Sequence, residues 1–556
     1  MSQAPQNAAG RTIPPNQRQY LRQVLRTIMD NAIGDGIPQV LSEREAINIR
    51  HETTEHITLI RDLEATQEIA PRINAELEDA LFRARATYRV LFTRTFRMND
   101  LPNEIITNIF RYIVWSVPDP RAGVLWRLWL TWTCRRWRTI ALDDHTLWNA
   151  IWFRDKWPFE RSWCWFERSG SAPLDIRISR ESGIKITGEQ MGQLMDRLLT
   201  KLSSIRMLLI MVEDWDPALV AVAKLRTAGQ MPGVALSMER FELHRTGSPY
   251  VQIGSGYEPS DFREPMALFG GAPSPRLKTL SLNGIHVDWN TSILTNLQTL
   301  DLRRMPIELS PEPTRFREIL LASPNLKKLC LDGAGPQLYM HEQHQPVILD
   351  RLQTLVVADF SIPYAHHIFS QISAPNLKDL TLINMTGDDY SPLFQTLTGR
   401  FPLVELLATY TIELADTPSA AATMVRWLQS MPRLRYLRIA NMAGMFLGLF
   451  LHDPRAVMEP HTQHPAPRQI LSPKLSIVEA HPGTIPQLVN WVGPRKQLGA
   501  PVDVVYIASI NPSREKKKTP QELLEFRQNC ARLGAVAQLR LLAFGAKSAE
   551  EEAILS

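Results

Sequence analysis

The sequence predicts an α/β protein in which an N-terminal helical region leads into a long array of strand-and-helix units. Three observations predict it. Apolar residues recur at helical spacing through roughly the first quarter of the chain. A short pattern, Leu-x-x-Leu-x-Leu, then recurs through most of the remaining residues. Finally, 556 residues with 44% hydrophobic and 21% charged side chains suffice for a large buried core. The formal net charge of +5 is small for this length and is not gathered in one stripe. It does not argue for nucleic acid, and none is expected as a partner.

The elements come in order. Residues 1–15 are polar and lack the apolar core of a signal peptide. Residues 17–30 carry Tyr20, Leu21, Val24, Leu25 and Ile28 at helical spacing, so residues 1–40 read as a flexible N-terminus with a short helix. Over residues 41–97 the pattern resumes, with Ser42 and Glu45 spaced as a capping box and Pro71 dividing two helices. Ile73, Leu77, Leu81, Ala84, Tyr88 and Leu91 form a stripe shorter than three heptads. A helical hairpin within the chain is expected, with a short coiled coil that dimerises as the alternative.

Residues 98–153 form the next unit. The run Leu101-Pro102-Asn103-Glu104-Ile105-Ile106-Thr107-Asn108-Ile109-Phe110 opens a helix, with Pro102 in its first turn and Asp100 able to cap free amides. Leu101, Ile105 and Ile109 repeat at i, i+4, i+8, with Ile106, Phe110 and Ile113 beside them. A second block comes after it, with Leu128, Leu130, Cys134, Trp137, Ile140 and Ala141, and then Leu147-Trp148 and Ile151-Trp152. The pattern Leu-Pro-x-Glu-Ile-x-x-x-Ile-Phe, followed by Cys-Arg-Arg-Trp-Arg-x-Ile-Ala and Leu-Trp, resembles an F-box. A helix pair just before it also resembles the arrangement in a large group of fungal (basidiomycete-type) F-box proteins. Residues 117–123 depart from the pattern by lengthening the connection between its halves.

The resemblance implies a chain that docks on a Skp-type adaptor and, through it, on a cullin. It places Leu101, Pro102, Ile105, Ile109 and Phe110 at the adaptor interface. Cys134, Trp137, Leu147 and Trp148 would be shared between interface and support.

Beyond Trp165 the pattern changes. Clear repeat copies begin at Leu277, Leu297, Leu326, Leu352, Leu377 and Leu434, with weaker ones over residues 202–210, 234–243, 403–407 and 473–478. In Leu-x-x-Leu-x-Leu the last two leucines share one face of a strand, and the first turns in from the preceding loop. Each unit is too small to bury its own leucines, so stacking has to make the core. Residues 170–545 therefore read as a divergent leucine-rich-repeat solenoid and 546–556 as a flexible acidic tail. Three insertions, at 247–275, 332–346 and 444–472, are expected to project as loops. Residues 502–507 and 539–542 read as closing strands, with an amphipathic helix over 520–533.

Catalytic chemistry finds no support. His341 with His344, and His461 with His464, each make half a zinc site without cysteines nearby. The glycines at 254 and 256 do not extend into a phosphate-cradling loop. Glu213-Asp214 and Asp388-Asp389 read as surface turns, and residues 514–518 as a solvated basic run. Cys134, Cys164, Cys330 and Cys530 are scattered, which fits a reducing compartment. No run of apolar residues is long enough to span a membrane. The chain is thus expected to be cytoplasmic and/or nuclear, without catalytic residues, metal or cofactor.

Joined to repeats, the F-box resemblance implies a substrate receptor of a cullin-based SCF ubiquitin ligase that binds a target protein of unknown identity. Basic residues of the later repeats, Arg435 and Arg438, are the candidate target contacts. A repeat scaffold without ligase function is the alternative; a nucleic-acid-associated repeat protein, given a pI of about 9.0, is a more distant one.

Overall fold

The computed structural model describes residues 23, 43–69, 75–95, 101–116, 120–179, 185–233, 236–247, 265–338, 345–442, 444–462, 467–508, 520–543 and 545–555. The chain divides into two compact units, Met1–Leu147 and Trp148–Ser556. It is a mixed α/β protein, with helices in the first unit and a large parallel sheet in the second.

In the first unit, α1 (Glu43–Ile69) packs against α2 (Ala75–Thr95). Leu81, Ala84 and Leu91 of the apolar stripe are buried, so the stripe has a partner within the chain. Arg85 and Glu64 pair across the two helices at 2.5 Å, but both are half-exposed and add little stability. Pro71 and Ser42 lie outside the described residues, as does the short helix expected at 17–30 apart from Gln23.

Three helices come next: α3 (Asn103–Trp115), α4 (Pro120–Thr133) and α5 (Arg135–Asp143), with a 3-10 turn at His145–Leu147. Pro102 caps α3 through its carbonyl, which accepts from the amides of Ile105 (3.1 Å) and Ile106 (3.2 Å). The Pro102 side chain makes no capping bond, and Asp100 lies outside the described residues. The wide apolar stripe divides: Ile106 and Phe110 are buried together with Val114, while Ile105 is exposed and Leu101 and Ile109 are half-buried. The two halves have the same spacing and differ by one residue, about 100° of helix rotation, so periodicity alone does not choose between them.

Among the described residues, the second unit holds a fourteen-stranded sheet whose strands lie in sequence order. They are β1 (Ala150–Phe153), β2 (Leu174–Ile178), β3 (Ile205–Val212), β4 (Arg240–Arg245), β5 (Thr279–Asn283), β6 (Thr299–Arg303) and β7 (Lys328–Asp332). The series continues with β8 (Thr354–Ala358), β9 (Asp379–Met385), β10 (Leu406–Ile412), β11 (Tyr436–Ala440), β12 (Ile477–Ala480), β13 (Val504–Ala508) and β14 (Gln538–Leu542). Each strand pairs in parallel with the next. A separate parallel pair joins Val347–Ile348 to Ile372–Ser373.

Register explains the sequence pattern. Leu280, Leu300, Leu329, Leu355, Leu380, Leu407 and Leu437 sit opposite one another on successive strands. The six leading leucines, Leu277 through Leu434, are buried beside them. The backbone repeats the same motif at each step. The carbonyl just before one strand accepts the two amides at the start of the next, as Lys278 does from Gln298 and Thr299. Gln298, Lys327, Gln353, Lys378, Glu405, Arg435 and Ser476 do likewise.

A second regularity was hidden in the sequence. The residues at the ends of these strands, Gly284, Arg304, Gly333, Asp359, Asn384, Thr411 and Asn441, of which Asn384 and Thr411 are the last but one of their strands, all have positive φ. The chain must turn sharply there to clear the neighbouring unit; a Cβ on Gly284 would stand 2.9 Å from the Arg245 carbonyl oxygen. Only two of the seven are glycine, so composition did not mark the position.

Several expectations need correction. Ala150–Phe153 is the first strand of the sheet, not the last part of a helical module, because Ala150 to Phe153 pair with Asp175 to Ile178. Residues 444–472 are not a bare projecting loop: they contain the helices Gly444–Leu449 and Pro454–Met458, with Phe446, Leu447 and Leu449 buried. The final segment is not a flexible tail, since Ala549–Leu555 is a helix with Ile554 buried. Residues 254 and 256, and the basic run at 514–518, lie outside the described residues. Among the described residues, no helix is long and apolar enough to cross a membrane.

Thr411, at φ 51°, is the most strained of these exits, because β-branched side chains rarely adopt positive φ. Thr411→Gly should therefore stabilise the chain by about 1 kcal/mol net of the glycine's extra unfolded-state entropy. A thermal melt checks this; a lower midpoint for Thr411→Gly than for the parent would contradict the account.

Candidate partner-binding surface

Polar side chains lock the three helices of residues 101–147 together, with Arg138 on α5 donating to the Thr131 carbonyl of α4 at 2.8 Å. Arg136 donates to the Leu101 carbonyl at 2.8 Å and to Asn103 Oδ1 at 2.9 Å, tying α5 to the start of α3. Arg111 makes a bidentate pair with Asp144 at 2.8 and 3.0 Å, and Thr146 donates to the same carboxylate. These donors hold the Asp144 carboxyl below its ordinary range, against the opposing effect of its burial. Cys134 acts as the cap of α5, its sulfur accepting from the Trp137 amide at 3.4 Å.

The residues expected at an adaptor interface separate into two groups. Pro102 is exposed, Ile105 is 46% exposed, and Leu101, Ile109, Cys134 and Trp137 are half-buried. Phe110 is fully buried, edge-on to Trp137 at 5.0 Å between ring centres. Leu147 is buried too, and so is Trp148, which packs edge-on to Trp165 at 5.5 Å. Phe110, Leu147 and Trp148 therefore support the fold and have no surface left to offer a partner. Phe110 lies on the buried half of the wide apolar stripe of α3, with Ile106 and Val114.

The structure presents a different set of apolar side chains. Tyr112 and Trp115 on α3, and Leu125, Trp126, Trp129 and Trp132 on α4, are exposed, Tyr112 by 75% and Trp132 by 65%. Trp126 and Trp129 pack edge to face at 4.9 Å. The two helices meet where the buried Arg127 guanidinium lies 4.8 Å from the Trp115 ring centre. Burial pushes Arg127 down to about 10, which leaves it charged at neutral pH. Indole side chains left in water at this density mark an interaction surface, since burying each large apolar group is worth about 1.5–3 kcal/mol. The signal was in the sequence as Trp126, Trp129 and Trp132, but these residues lie between the two halves of the F-box pattern and belong to neither.

The second candidate surface is the sheet face opposite the stacked leucines. On β4 to β7 it carries Arg240, Glu242, His244, Ser281, Asp301, Arg303 and Lys328 around a hollow of about 420 Å3. Charges there are matched locally: Arg240 pairs with Glu242 at 2.5 Å and Arg303 with Asp301 at 2.7 Å. Arg435 pairs with Glu405 at 2.8 Å and keeps 42% of its side chain exposed. Arg438 is already engaged within the chain. Only 17% of its side chain is exposed, and it lies between Glu479 at 2.9 Å and Glu551 at 2.6 Å.

The remaining candidates for chemistry are structural. Lys185 pairs with Asp214 at 2.9 Å and Glu213 at 3.6 Å. Asp389 accepts from the amides of Ser391 and Ala415, fixing a turn. His461 is exposed; His341, His344 and His464 lie outside the described residues.

Comparison with known families matches residues 98–154 to an F-box-like domain. The match covers α3, α4, α5 and β1. No curated protein matches the chain. An F-box-like domain is typically a non-catalytic module, and its presence points to a role in binding a Skp-type adaptor.

Asp379 yields a pH test. Burial pushes its carboxyl up to about 6, Arg438 opposes the shift and Glu551 adds to it. Its unfolded value is about 3.9, so the folded chain holds a proton that the unfolded chain releases between pH ~4 and ~6. Stability from this group is present below pH ~4 and is lost as pH rises through ~6. Asp379→Asn should remove that loss, gaining up to about 2–3 kcal/mol relative to the parent at pH 7.5 and much less at pH 4.5. Melts across this range check it, and a gain independent of pH would contradict it.

Proposed function

We propose that the chain is the substrate-recognition subunit of a cullin-based SCF ubiquitin ligase. Residues 98–153 dock on a Skp-type adaptor and through it on a cullin, with residues 41–97 as a helical hairpin leading into them. Residues 170–545 form a divergent leucine-rich-repeat solenoid that binds the target protein. The in-register leucines and the repeated carbonyl that takes two amides support the solenoid reading. Scattered cysteines fit action in the cytoplasm or nucleus.

The observation that carries the adaptor reading is the exposed indole surface of α4 inside a segment that matches an F-box-like domain. The adaptor interface keeps Pro102 and Ile105 and adds Tyr112, Trp115, Leu125, Trp126, Trp129 and Trp132. The half-buried Leu101, Ile109, Cys134 and Trp137 line its margin, and the exposed part of Arg435 remains a candidate on the target side. The mechanism is proximity. Bond formation belongs to partner enzymes, and this chain raises the effective concentration of target lysines near the charged ubiquitin carrier.

The test is co-purification with a Skp-type adaptor. Trp129→Ala with Trp132→Ala should weaken capture by about 1–3 kcal/mol per residue while leaving the melting temperature nearly unchanged. Phe110→Ala should instead destabilise the fold by about 3–5 kcal/mol. Undiminished capture of the double variant, and of one that also carries Ile105→Asp, would overturn the assignment.

A further inference from the structure

The helix Ala549–Leu555 lies against the sheet face opposite the stacked leucines. Ile554 is buried among Leu406, Tyr436, Ile477, Val504 and Tyr506, with Leu555 packed at the margin. The acidic side of the helix meets two arginines: Glu551 pairs with Arg438 at 2.6 Å and Glu550 with Arg540 at 3.1 Å. Lys378 donates to the Ile554 carbonyl at 2.9 Å, at the helix end where carbonyls lack partners. Ser548 caps the other end, accepting from the Glu551 amide at 3.1 Å and donating to the Tyr436 hydroxyl at 3.2 Å.

Two features set this contact apart from an ordinary core. The helix has seven residues, far too few to be stable in water without the surface beneath it. The contacts beneath the helix are made largely among the strands: Arg438 pairs with Glu479 at 2.9 Å as well as with Glu551, and Tyr436 bonds Glu479 at 2.7 Å. An apolar floor flanked by Arg438, Arg540 and Lys378 is thus built into the strands themselves.

We propose that this face of β9 to β14 is a seat for an acidic amphipathic helix of a partner protein, and that Ala549–Leu555 holds the seat until such a helix displaces it. The partner segment carries two adjacent carboxylates, with aliphatic side chains three and four residues further on, as Glu550, Glu551, Ile554 and Leu555 do. The inference rests on reading the strand face as the target-binding surface, and it specifies the class of target that the face accepts.

The experiment uses a fluorescent peptide of residues 545–555 as probe, titrated with the intact chain and with a chain lacking residues 546–556. A tethered segment competes at an effective concentration in the millimolar range, so the shortened chain should bind the peptide about tenfold or more tightly than the intact one. Arg438→Ala in the shortened chain should return binding to the intact level. If the shortened chain fails to fold, Glu551→Gln with Ile554→Asp in the full chain opens the same seat and should gain binding by the same factor. A folded, opened chain that gains no peptide binding overturns the proposal, as does equal binding by open and intact chains. The assay contains no adaptor, so its failure leaves the adaptor reading standing. Loss of adaptor capture, conversely, leaves the peptide result intact.

Discussion

The second unit depends on one backbone arrangement: from β5 to β12, the carbonyl before each strand accepts both amides that open the next. From Lys278 to Ser476 this bond recurs at each parallel step and fixes where the next strand begins. Because side chains alternate along a strand, a slip of one residue would move every leucine from the core to the opposite face. The bond therefore sets the register that places Leu280, Leu300, Leu329, Leu355, Leu380, Leu407 and Leu437 in one row. No unit buries its leucines alone, so the row and the bond form together or not at all.

The same register determines what the opposite face offers. From β4 to β7 that face is polar and its charges neutralise one another locally, as Arg240 does with Glu242 and Arg303 with Asp301. From β10 onward the floor turns apolar, with Leu406, Tyr436, Ile477, Val504 and Tyr506, and its arginines meet acids supplied by residues 549–555. One sheet thus carries two chemically distinct surfaces. Burial of Asp379 at the edge of the second holds its carboxyl near 6, a cost set by position in the array and not by the residue itself.

Much of this fold was legible in the sequence, and the reasons for the rest are physical. The leucine pattern located the strands, including the weak copies that became β3, β4, β10 and β12, because stacking demands the same residue at the same place. Strand exits were hidden because Arg304, Asp359, Asn384 and Thr411 adopt positive φ under the constraint of their neighbours and not by propensity. The phase of α3 was hidden because two apolar stripes of equal spacing lie side by side, and only packing against α5 selects Ile106, Phe110 and Val114. At the candidate site, the segment could be read but its exposed side chains could not. The final helix had a readable start, since Ser548 and Glu551 have capping-box spacing, but its acidic composition suggested a solvated tail. Its partners, Lys378 and Arg438, lie more than a hundred residues away in sequence.

On the proposed reading the adaptor and the target meet different surfaces, and the adaptor surface is the more open to direct measurement. Amide hydrogen exchange of the intact chain, with and without a Skp-type adaptor, reads it without any substitution. The account predicts slowed exchange over Asn103–Trp115 and Pro120–Thr133 and unchanged exchange in β4 to β14. Protection confined to the strands, or none at all at saturating adaptor, would contradict it.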